Sequence, residues 1–270
     1  PEYSRPFKQI VDEAKNLVEN GSREIILLGQ NVNAYNYEEF KLSNLILEIE
    51  KIPNLKRIRY TTSHPKDMSN DLIDIYRYSK KLMPLIHLPL QSGSDKILKL
   101  MNRKHSIKEY LLIFDKLKEI NPNIEFSSDF IIGYPGENDK DFKETLNFIE
   151  KIKFINSYSF IFSPRLGTIA ANLETIDKKT TMKRLEKIQR QLFKNQIEKN
   201  KSLESTILNV LVENLTEDKK HVFGRSEHMT SVIFDGKKED IGKIMTVKIN
   251  KSNRSTLFGE VINETNQKVA

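Results

Sequence analysis

Short apolar runs alternate with amphipathic segments from Phe7 to Ser163. This alternation is typical of parallel strands joined by crossover helices. Because no GxGxxG fingerprint of a dinucleotide-binding sheet follows any of the runs, the pattern favours a full or partial TIM-like (β/α) barrel. Five strands are predicted, at Glu24 to Leu28, Lys56 to Tyr60, Leu85 to Leu90, Ile124 to Ile132 and Ser157 to Phe162.

Helix start signals precede several of the amphipathic segments. Ser106 and Glu109 form a predicted capping box ahead of apolar residues that share one helical face. Ser69 and Asp139 stand in the same position before two further segments. The apolar positions that follow these three signals are Ile107, Tyr110, Leu111, Phe114 and Leu117, then Leu72, Ile73 and Tyr76, then Phe142, Leu146 and Ile149.

The pattern changes after residue 175. Ile176 to Ser202 predicts one long helix with Met182, Leu185, Ile188 and Leu192 on one side. Its other faces are basic, with Lys178, Lys179, Lys183, Arg184, Lys187, Arg190, Lys194 and Lys199. Five short strands follow, at Ile207 to Glu213, Val222 to Arg225, Ser231 to Phe234, Ile244 to Ile249 and Thr256 to Ile262. They predict a small all-β barrel of the oligonucleotide-binding (OB-like) kind. The expected domains are therefore a barrel at 1–175, a basic linker helix at 176–204 and a β domain at 205–270.

Composition limits the classes of function. The 44 Lys and Arg residues exceed the 37 Asp and Glu residues, and the formal charge of +7 favours a polyanionic partner. No apolar run approaches the roughly 18 to 20 residues of a membrane span, and no signal peptide is recognisable, so we expect a cytoplasmic protein without membrane contact. The chain has no Cys, and its five His residues are scattered. We therefore predict no metal ligands within it.

Polar and turn residues follow each predicted strand of the barrel. Because the carboxyl ends of parallel barrel strands form one rim, these residues are expected to meet there and to build a cofactor site. Singly, each cluster is explained equally well as a turn, a helix cap or a surface residue. The candidate cofactor-binding residues are Gln30, Asn31, Ser63, Gln91, Ser92, Asp129, Gly133, Glu137 and Arg165.

The residue types suggest roles for these candidates. Backbone N–H groups near Gly93 and Gly133 can approach a ligand closely, and the amide and hydroxyl groups suit a ribose or an amino-acid carboxylate. Asp129 and Glu137 could receive an ammonium group or ribose hydroxyls. Arg165 could contact a carboxylate or phosphate, or form an ordinary surface ion pair. The residues alone do not identify a catalytic group.

Five motifs occur in a characteristic order: LLGQNVNAY at 27–35, RYTTSHPKDM at 59–68, HLPLQSGSDKILKLMNRKH at 87–105, SSDFIIGYPGE at 127–137 and FSPRLGT at 162–168. Together they resemble the radical-SAM methylthiotransferases, most densely the MiaB type, which acts on isopentenylated adenosine beside the tRNA anticodon. GRSEHM at 224–229 and IGK at 241–243 resemble a TRAM domain. Asn138 stands where the family usually has Thr, and Leu166 and Ile169 replace prolines.

The resemblance implies chemistry with S-adenosylmethionine (SAM) and two 4Fe-4S clusters, which would add a methylthio group to C2 of the adenosine. In the family a CxxxCxxC loop lies just before a segment like Tyr3 to Pro6, and a further N-terminal domain holds the second cluster. No cysteine ligand of either cluster lies in this chain. We therefore expect these 270 residues alone to be inactive. The resemblance also implies an external reductant such as flavodoxin or ferredoxin.

The TRAM resemblance implies binding of the tRNA anticodon stem-loop. Basic residues agree with it, and the candidate RNA-binding residues are Lys219, Arg225, Lys243, Lys248 and Arg254. Phe223, Phe234 and Phe258 are interleaved with them and are expected in the core of the small barrel. Two alternatives stay open: a tRNA-binding protein or pseudoenzyme without catalysis, and a methylthiotransferase for threonylcarbamoyladenosine or a ribosomal protein.

Overall fold

The computed structural model describes residues 3–165 and 167–262. Leu166 of the FSPRLGT motif and residues 263–270 of the predicted β domain lie outside the described residues. The elements up to residue 161 are α1 (Phe7–Glu19), β1 (Glu24–Leu27), β2 (Asn36–Tyr37), β3 (Phe40–Lys41), α2 (Leu42–Glu50), β4 (Arg57–Tyr60), α3 (Asn70–Tyr78), β5 (Leu85–His87), α4 (Asp95–Leu100), α5 (Ile107–Ile120), β6 (Glu125–Ser127), β7 (Asp129–Ile132), α6 (Asp139–Ile152) and β8 (Tyr158–Ile161).

The larger strands form a parallel array in sequence order. β1 pairs with β4, β5 with β6, and β7 with β8, each pair parallel. Single parallel bridges, Ile58 to Leu82 and Gln91 to Phe130, join these pairs to one another. Within the described ranges, no strand pairs with the outer edge of β1 or of β8. The array is therefore a partial barrel, and the predicted fold class is confirmed for this part.

Two predicted strands are shorter than expected. The run from Leu85 to Leu90 forms a strand only to His87, since Pro89 has no N–H group to donate to a ladder. The run from Ile124 to Ile132 divides at Ser128 into β6 and β7. There the Ser128 N–H group donates to Ser157 Oγ at 2.9 Å, and Ser128 Oγ accepts from the Leu90 N–H group at 2.9 Å. Side-chain hydroxyls replace the backbone ladder at this point.

The helices cover the outside of the barrel and begin at recognisable caps. The capping box of Ser106 and Glu109 is present at the start of α5. Tyr110 of that helix is fully buried and donates its hydroxyl to the Leu88 carbonyl at 2.9 Å. Asn138, rather than Asp139, is the N-cap of α6, where it accepts from the Asp141 N–H group at 3.0 Å. Because Asn and Thr both cap helices well, this departure from the family motif preserves the helix start.

The remaining elements are α7 (Lys178–Ser202), β9 (Ile207–Leu215), β10 (Val222–Arg225), β11 (Ser231–Phe234), β12 (Ile244–Ser252) and β13 (Thr256–Val261). The five strands close into a barrel in the order β10, β11, β13, β12, β9. Fully buried Val210, Val232, Val247 and Leu257 belong to its core. The predicted small all-β barrel is confirmed.

The small barrel contacts the amino-terminal ends of the large barrel's strands. Arg57, the first residue of β4, is 3% exposed and donates to the backbone carbonyls of Arg225 at 2.8 Å and Asn209 at 2.9 Å. His228 Nε2 lies 2.7 Å from the carbonyl oxygen of Asn123, which precedes β6. The rim formed by the carboxyl ends of the strands is therefore at the opposite end from the small barrel.

The long helix α7 connects these two ends and buries a mixed face. Ile188 and Leu192 are buried as predicted, but Met182 is 39% exposed. Arg184 was assigned to the basic outer face, and this was wrong, because it is only 7% exposed and forms buried ion pairs. At the far end, Asn200 donates to the carbonyl of Asn253 at 2.8 Å. A helix of 25 residues is about 37 Å long, enough to span the large barrel.

Candidate functional site

Two loops at the rim bring three of the candidate residues together. The loop after β1 meets the loop after β4, where Val32 donates its N–H group to the Thr62 carbonyl at 3.0 Å. Asn31 Nδ2 donates to Asp67 Oδ2 at 2.7 Å, while Gln30 is exposed beside it. Among the described residues, Asn31 Oδ1 and Ser63 Oγ are buried without a hydrogen-bond partner. This junction offers an amide, an acceptor and a hydroxyl to a ligand at the rim.

A second candidate loop, after β5, is bound to α6 instead. Ser92 is 1% exposed, and its Oγ lies 3.3 Å from Thr145 Oγ1. Gly93 donates its N–H group to the same Thr145 oxygen at 2.9 Å, and a Cβ on Gly93 would stand 2.5 Å from Thr145 Cα. The close approach expected at Gly93 is therefore made by a helix. Ser92 holds the loop against that helix.

Gln91 and Asp129 lie where the middle strands meet. The Gln91 N–H group donates to the Asp129 carbonyl at 2.9 Å, and Gln91 has a φ of +74°. Because a non-glycine residue at positive φ costs of order 1 kcal/mol or more, the surrounding hydrogen bonds must hold this conformation. Asp129 lines the barrel lumen, whereas the backbone hydrogen bonds of Gln91 join it to Asp129 and Ile131 of β7.

Glu137 anchors α7 to the rim. It is 5% exposed, and its Oε1 accepts from Arg184 Nη1 at 2.8 Å and from the Gly133 N–H group at 3.4 Å. Arg184 also donates to Asp139 Oδ1 at 2.7 Å. Burial raises the pKa of the Glu137 carboxyl, and the Arg184 guanidinium partly offsets that rise. The Glu137 carboxylate and the Arg184 guanidinium thus form an ion pair with each other. Arg165 is exposed in the loop after β8.

The lumen of the large barrel contains polar groups that sequence reasoning did not single out. His87 Nδ1 lies 2.8 Å from Ser127 Oγ, and His87 Nε2 lies 3.5 Å from Asp129 Oδ2. Arg59 Nε donates to Glu24 Oε1 at 2.6 Å. The prediction from strand ends missed His87 and Arg59 because both lie within the predicted strands, before their ends. Alternate residues of a barrel strand face the lumen. A charged or imidazole side chain at a lumen-facing position is the signal that could have found them.

The lumen opens into a cavity of about 1000 Å³ that reaches the small barrel. Its polar lining includes Arg59, His87 and Asp129, and its aromatic lining includes Tyr158 and Phe160 of β8 and Phe193 of α7. Arg225 and Arg254 of the small barrel line its mouth. The Arg254 Cζ atom lies 4.6 Å from the centroid of the Phe193 ring, which is within cation–π distance.

The five candidate RNA-binding residues divide into two groups. Arg225 and Arg254 line the cavity, and Arg225 is further held by Glu213 at 3.6 Å and the Met229 carbonyl at 3.1 Å. The other three are exposed elsewhere on the small barrel: Lys219, Lys243 and Lys248.

The three phenylalanines of the small barrel are divided between its core and an outer groove. Phe234 lies in the core as expected. Phe223 and Phe258 were expected there but are half-buried and line an outer groove, because their positions on the strands face away from the interior.

Two kinds of feature are not found in the part of the chain that is described. No group of three or more His, Asp or Glu side chains is arranged to hold a metal ion within residues 3–165 and 167–262. Over the same residues, no helix combines the length and apolarity that a membrane span requires.

Comparison with known proteins agrees with these features. Residues 1–149 match the model of the Radical SAM superfamily, and residues 201–262 match that of the TRAM domain. The tRNA-2-methylthio-N(6)-dimethylallyladenosine synthase of Pelagibacter ubique is 63% identical over 100% of this chain and 61% of its own length. The protein of that name from Wolbachia pipientis subsp. Culex pipiens is 46% identical over 96% of this chain and 60% of its own length. The chain thus spans about three-fifths of the curated relatives it matches.

Solved structures show the same fold at low sequence identity. Coproporphyrinogen III oxidase (HemN) from Escherichia coli, a Radical SAM enzyme, superposes with a TM-score of 0.54 at 13% identity, covering 95% of this chain and 64% of that one. Methylornithine synthase (PylB) gives 0.50 at 15% identity, covering 72% and 54%. With the partial barrel, the closed small barrel and the two sequence matches, the resemblance to the methylthiotransferases is confirmed at the level of homology: the chain belongs to the Radical SAM superfamily and carries a TRAM domain.

Proposed function

We propose that this chain supplies the SAM-binding barrel and the RNA-binding domain of an enzyme that adds a methylthio group to C2 of isopentenylated (dimethylallyl) adenosine in tRNA. One observation carries the proposal. The cavity of about 1000 Å³ joins the barrel lumen to Arg225 and Arg254 of the TRAM domain. A base that enters the lumen therefore leaves its flanking phosphates beside two guanidinium groups. The names of the relatives give the reaction and the nucleoside.

The junction of the first two rim loops fits SAM. The unpartnered, buried Asn31 Oδ1 and Ser63 Oγ suit the hydroxyl and ammonium groups of such a ligand, and Gln30 adds an exposed amide. We assign Gln30, Asn31 and Ser63 to the SAM site. Asp129, Gln91, Gly133 and Arg165 are proposed to complete the rim, with Ser92 and Glu137 fixing its loops to α6 and α7. When bound and reductively cleaved, SAM would supply a radical that abstracts the hydrogen atom from C2 of the adenine.

The residues present do not fit an iron–sulphur cluster. The chain contains no Cys, and the described residues hold no alternative ligand set. Two 4Fe-4S clusters, an external reductant such as flavodoxin or ferredoxin, and a cytoplasmic location are proposed for the whole protein from its family. The domain boundaries at residues 175 and 204 likewise remain proposals.

The chain's own residues would bind and orient the substrate. His87 and Asp129 present a donor and an acceptor to the edge of a base in the lumen. Arg225 and Arg254 would hold the anticodon stem-loop through its phosphates. The exposed Lys219, Lys243 and Lys248 add sequence-independent attraction around the TRAM domain.

The proposal is tested in the full-length protein with its clusters reconstituted. With tRNA carrying dimethylallyladenosine, mass spectrometry of digested nucleosides is expected to show the methylthio product. Ser63→Ala removes a hydroxyl from the SAM site and is expected to lower SAM cleavage about tenfold, the effect of roughly one hydrogen bond. Ser202→Ala, at the exposed end of α7, is the matched control.

Other results of these experiments would favour the alternative functions. Tight tRNA binding without any methylthio product would favour a tRNA-binding protein or pseudoenzyme. Product formed only on threonylcarbamoyladenosine or on a ribosomal protein would assign the chain to another subtype. Equal SAM cleavage by Ser63→Ala and Ser202→Ala would remove Ser63 from the site.

A further inference from the structure

Two aromatic side chains form an exposed apolar wall on the last strand of the large barrel. Tyr158 and Phe160 are two residues apart on β8, so both face the lumen. Their ring centroids lie 6.5 Å apart with an angle of 22° between the ring planes. They are 63% and 54% exposed, although large aromatic side chains usually bury most of their area. Adjacent exposed rings that face a cavity indicate that an apolar group binds there.

The lumen beside Tyr158 carries polar side chains. Asp129 pairs in register with Tyr158, so the carboxylate and the aromatic wall lie side by side on neighbouring strands. His87 lies 3.5 Å from that carboxylate. With a strand rise of about 3.3 Å per residue, Phe160 is roughly 6 to 7 Å nearer the rim than Tyr158. A ligand that binds here meets hydrogen-bonding groups and, directly beside them, two aromatic rings.

Dimethylallyladenosine has the matching division into polar and apolar parts. Its reacting C2 and its N6 substituent are on non-adjacent atoms of the same six-membered ring, so they point in widely different directions. C2 must face the SAM site at the rim. The N6 substituent then points across or down the lumen, toward the region that the aromatic wall occupies, while the ring nitrogens stay near His87 and Asp129.

We infer that Tyr158 and Phe160 receive the dimethylallyl group of the substrate and thereby select alkylated over unmodified adenosine. The inference rests on the proposed function, because it takes the substrate class from there. Its own support is the exposure, pairing and lumen orientation of the two rings. Arg225 and Arg254, at the cavity mouth, hold the RNA whatever its N6 substituent is.

The test measures binding to the full chain with two RNA hairpins that differ only in one loop residue, N6-dimethylallyladenosine or adenosine. The wild-type chain is expected to bind the alkylated hairpin about tenfold more tightly, as an apolar group in a hydrophobic pocket typically provides. Phe160→Ala is expected to reduce that ratio to about twofold or less, and Phe160→Leu to retain most of it. Leu112→Ala, an exposed apolar residue of α5, is the matched control.

A second measurement is independent of RNA. In saturation-transfer NMR with the free nucleoside, the dimethylallyl methyl protons are expected to receive saturation from the wild-type chain and to lose it with Tyr158→Ala. Thermal unfolding of each variant verifies that it is folded.

The outcomes separate the two proposals. Equal affinity of the wild type for both hairpins, or an equal loss for both with Phe160→Ala, overturns the inference and leaves RNA binding intact. Equal losses would identify the rings as a general base-stacking surface. If the wild type binds neither hairpin, the proposed function fails and the inference fails with it.

Discussion

At the scale of single residues, the described parts of the structure leave His105 in an unusual setting. It is 6% exposed, and both of its ring nitrogens are buried without a hydrogen-bond partner. The His64 ring lies 5.4 Å away, and Arg103 is close by. Burial, followed by the charge of Arg103 and the neighbouring His64, lowers the pKa of His105 to about 4 from an ordinary value of 6.5. The folded chain therefore favours the neutral imidazole.

This setting predicts acid sensitivity. As pH falls below about 6.5, the unfolded chain binds a proton at His105 before the folded chain does, so the free energy of unfolding decreases down to about pH 4. The loss at pH 4.5 is expected to be roughly 2 to 3 kcal/mol. His105→Leu should remove this part of the pH dependence. Urea unfolding of both proteins at pH 7 and 4.5 measures it, and an identical loss in both would refute the assignment.

The same scale shows how far residue type alone predicts a site. Gln30, Asn31 and Ser63 were found because they follow strands, and neighbouring loops do bring them together. Ser92 and Glu137 were selected by the same rule, but their partners, Thr145 and Arg184, are 53 and 47 residues away. A contact at such separation is a property of helix packing, and residue type does not reveal it.

At the scale of elements, α7 is held to the barrel by a buried ion pair. Arg184 is 8% exposed and Glu137 is 2% exposed at the side chain, with 2.8 Å between Arg184 Nη1 and Glu137 Oε1. Removing one partner leaves the other charge buried without compensation, which typically costs about 3 to 5 kcal/mol. Replacing both by apolar residues of similar volume removes both charges and costs much less.

Arg184→Met is therefore expected to lower the free energy of unfolding by about 3 kcal/mol, and the double variant Glu137→Met with Arg184→Met by clearly less. Lys187→Met, on the exposed side of the same helix, is the control and should change stability by less than about 0.5 kcal/mol. Chemical denaturation of the wild type, the single variants Arg184→Met and Glu137→Met, the double variant and the control measures the coupling. Additive losses in the double variant would show that the two side chains do not stabilise each other.

Element positions were more predictable than element ends. The five predicted runs cover the six parallel strands described in the large barrel, because a strand face that packs under crossover helices leaves an apolar signal. Ser128 divides one of them, since its hydroxyl and that of Ser157 replace ladder hydrogen bonds. The exposed aromatic wall of Tyr158 and Phe160 was read simply as part of an apolar strand. Periodicity shows that a side chain is apolar, and only the assembled barrel shows that it faces an open lumen.

At the scale of the whole molecule, the position of each positive charge relative to the cavity determines its proposed role. Arg225 and Arg254 line the cavity mouth, whereas most lysines lie on outer surfaces. Each phosphate contact releases condensed counterions, so the affinity for RNA should fall as salt rises. The net charge predicted a polyanionic partner. The packing of the TRAM domain determines which basic side chains lie beside the cavity.

Arg254→Ala is expected to weaken binding of a tRNA anticodon stem-loop and to reduce the slope of log affinity against log salt by about 1, the loss of one phosphate contact. Lys99→Ala, on the exposed surface of α4, removes the same charge away from the cavity and should leave both quantities nearly unchanged. Fluorescence anisotropy over a salt series measures both. A common slope for the two variants would mean that long-range charge alone attracts the RNA.

The contact of the small barrel with the amino-terminal ends of the strands has a kinetic consequence. Arg57 and His228 fix the TRAM domain at the end opposite the rim where Asn31 and Ser63 lie. With the proposed sites, RNA and SAM would therefore approach the large barrel from opposite ends. Under this proposal neither ligand blocks the path of the other, so they would bind in either order, and spent cofactor would be exchanged for fresh cofactor while the same RNA stays in place.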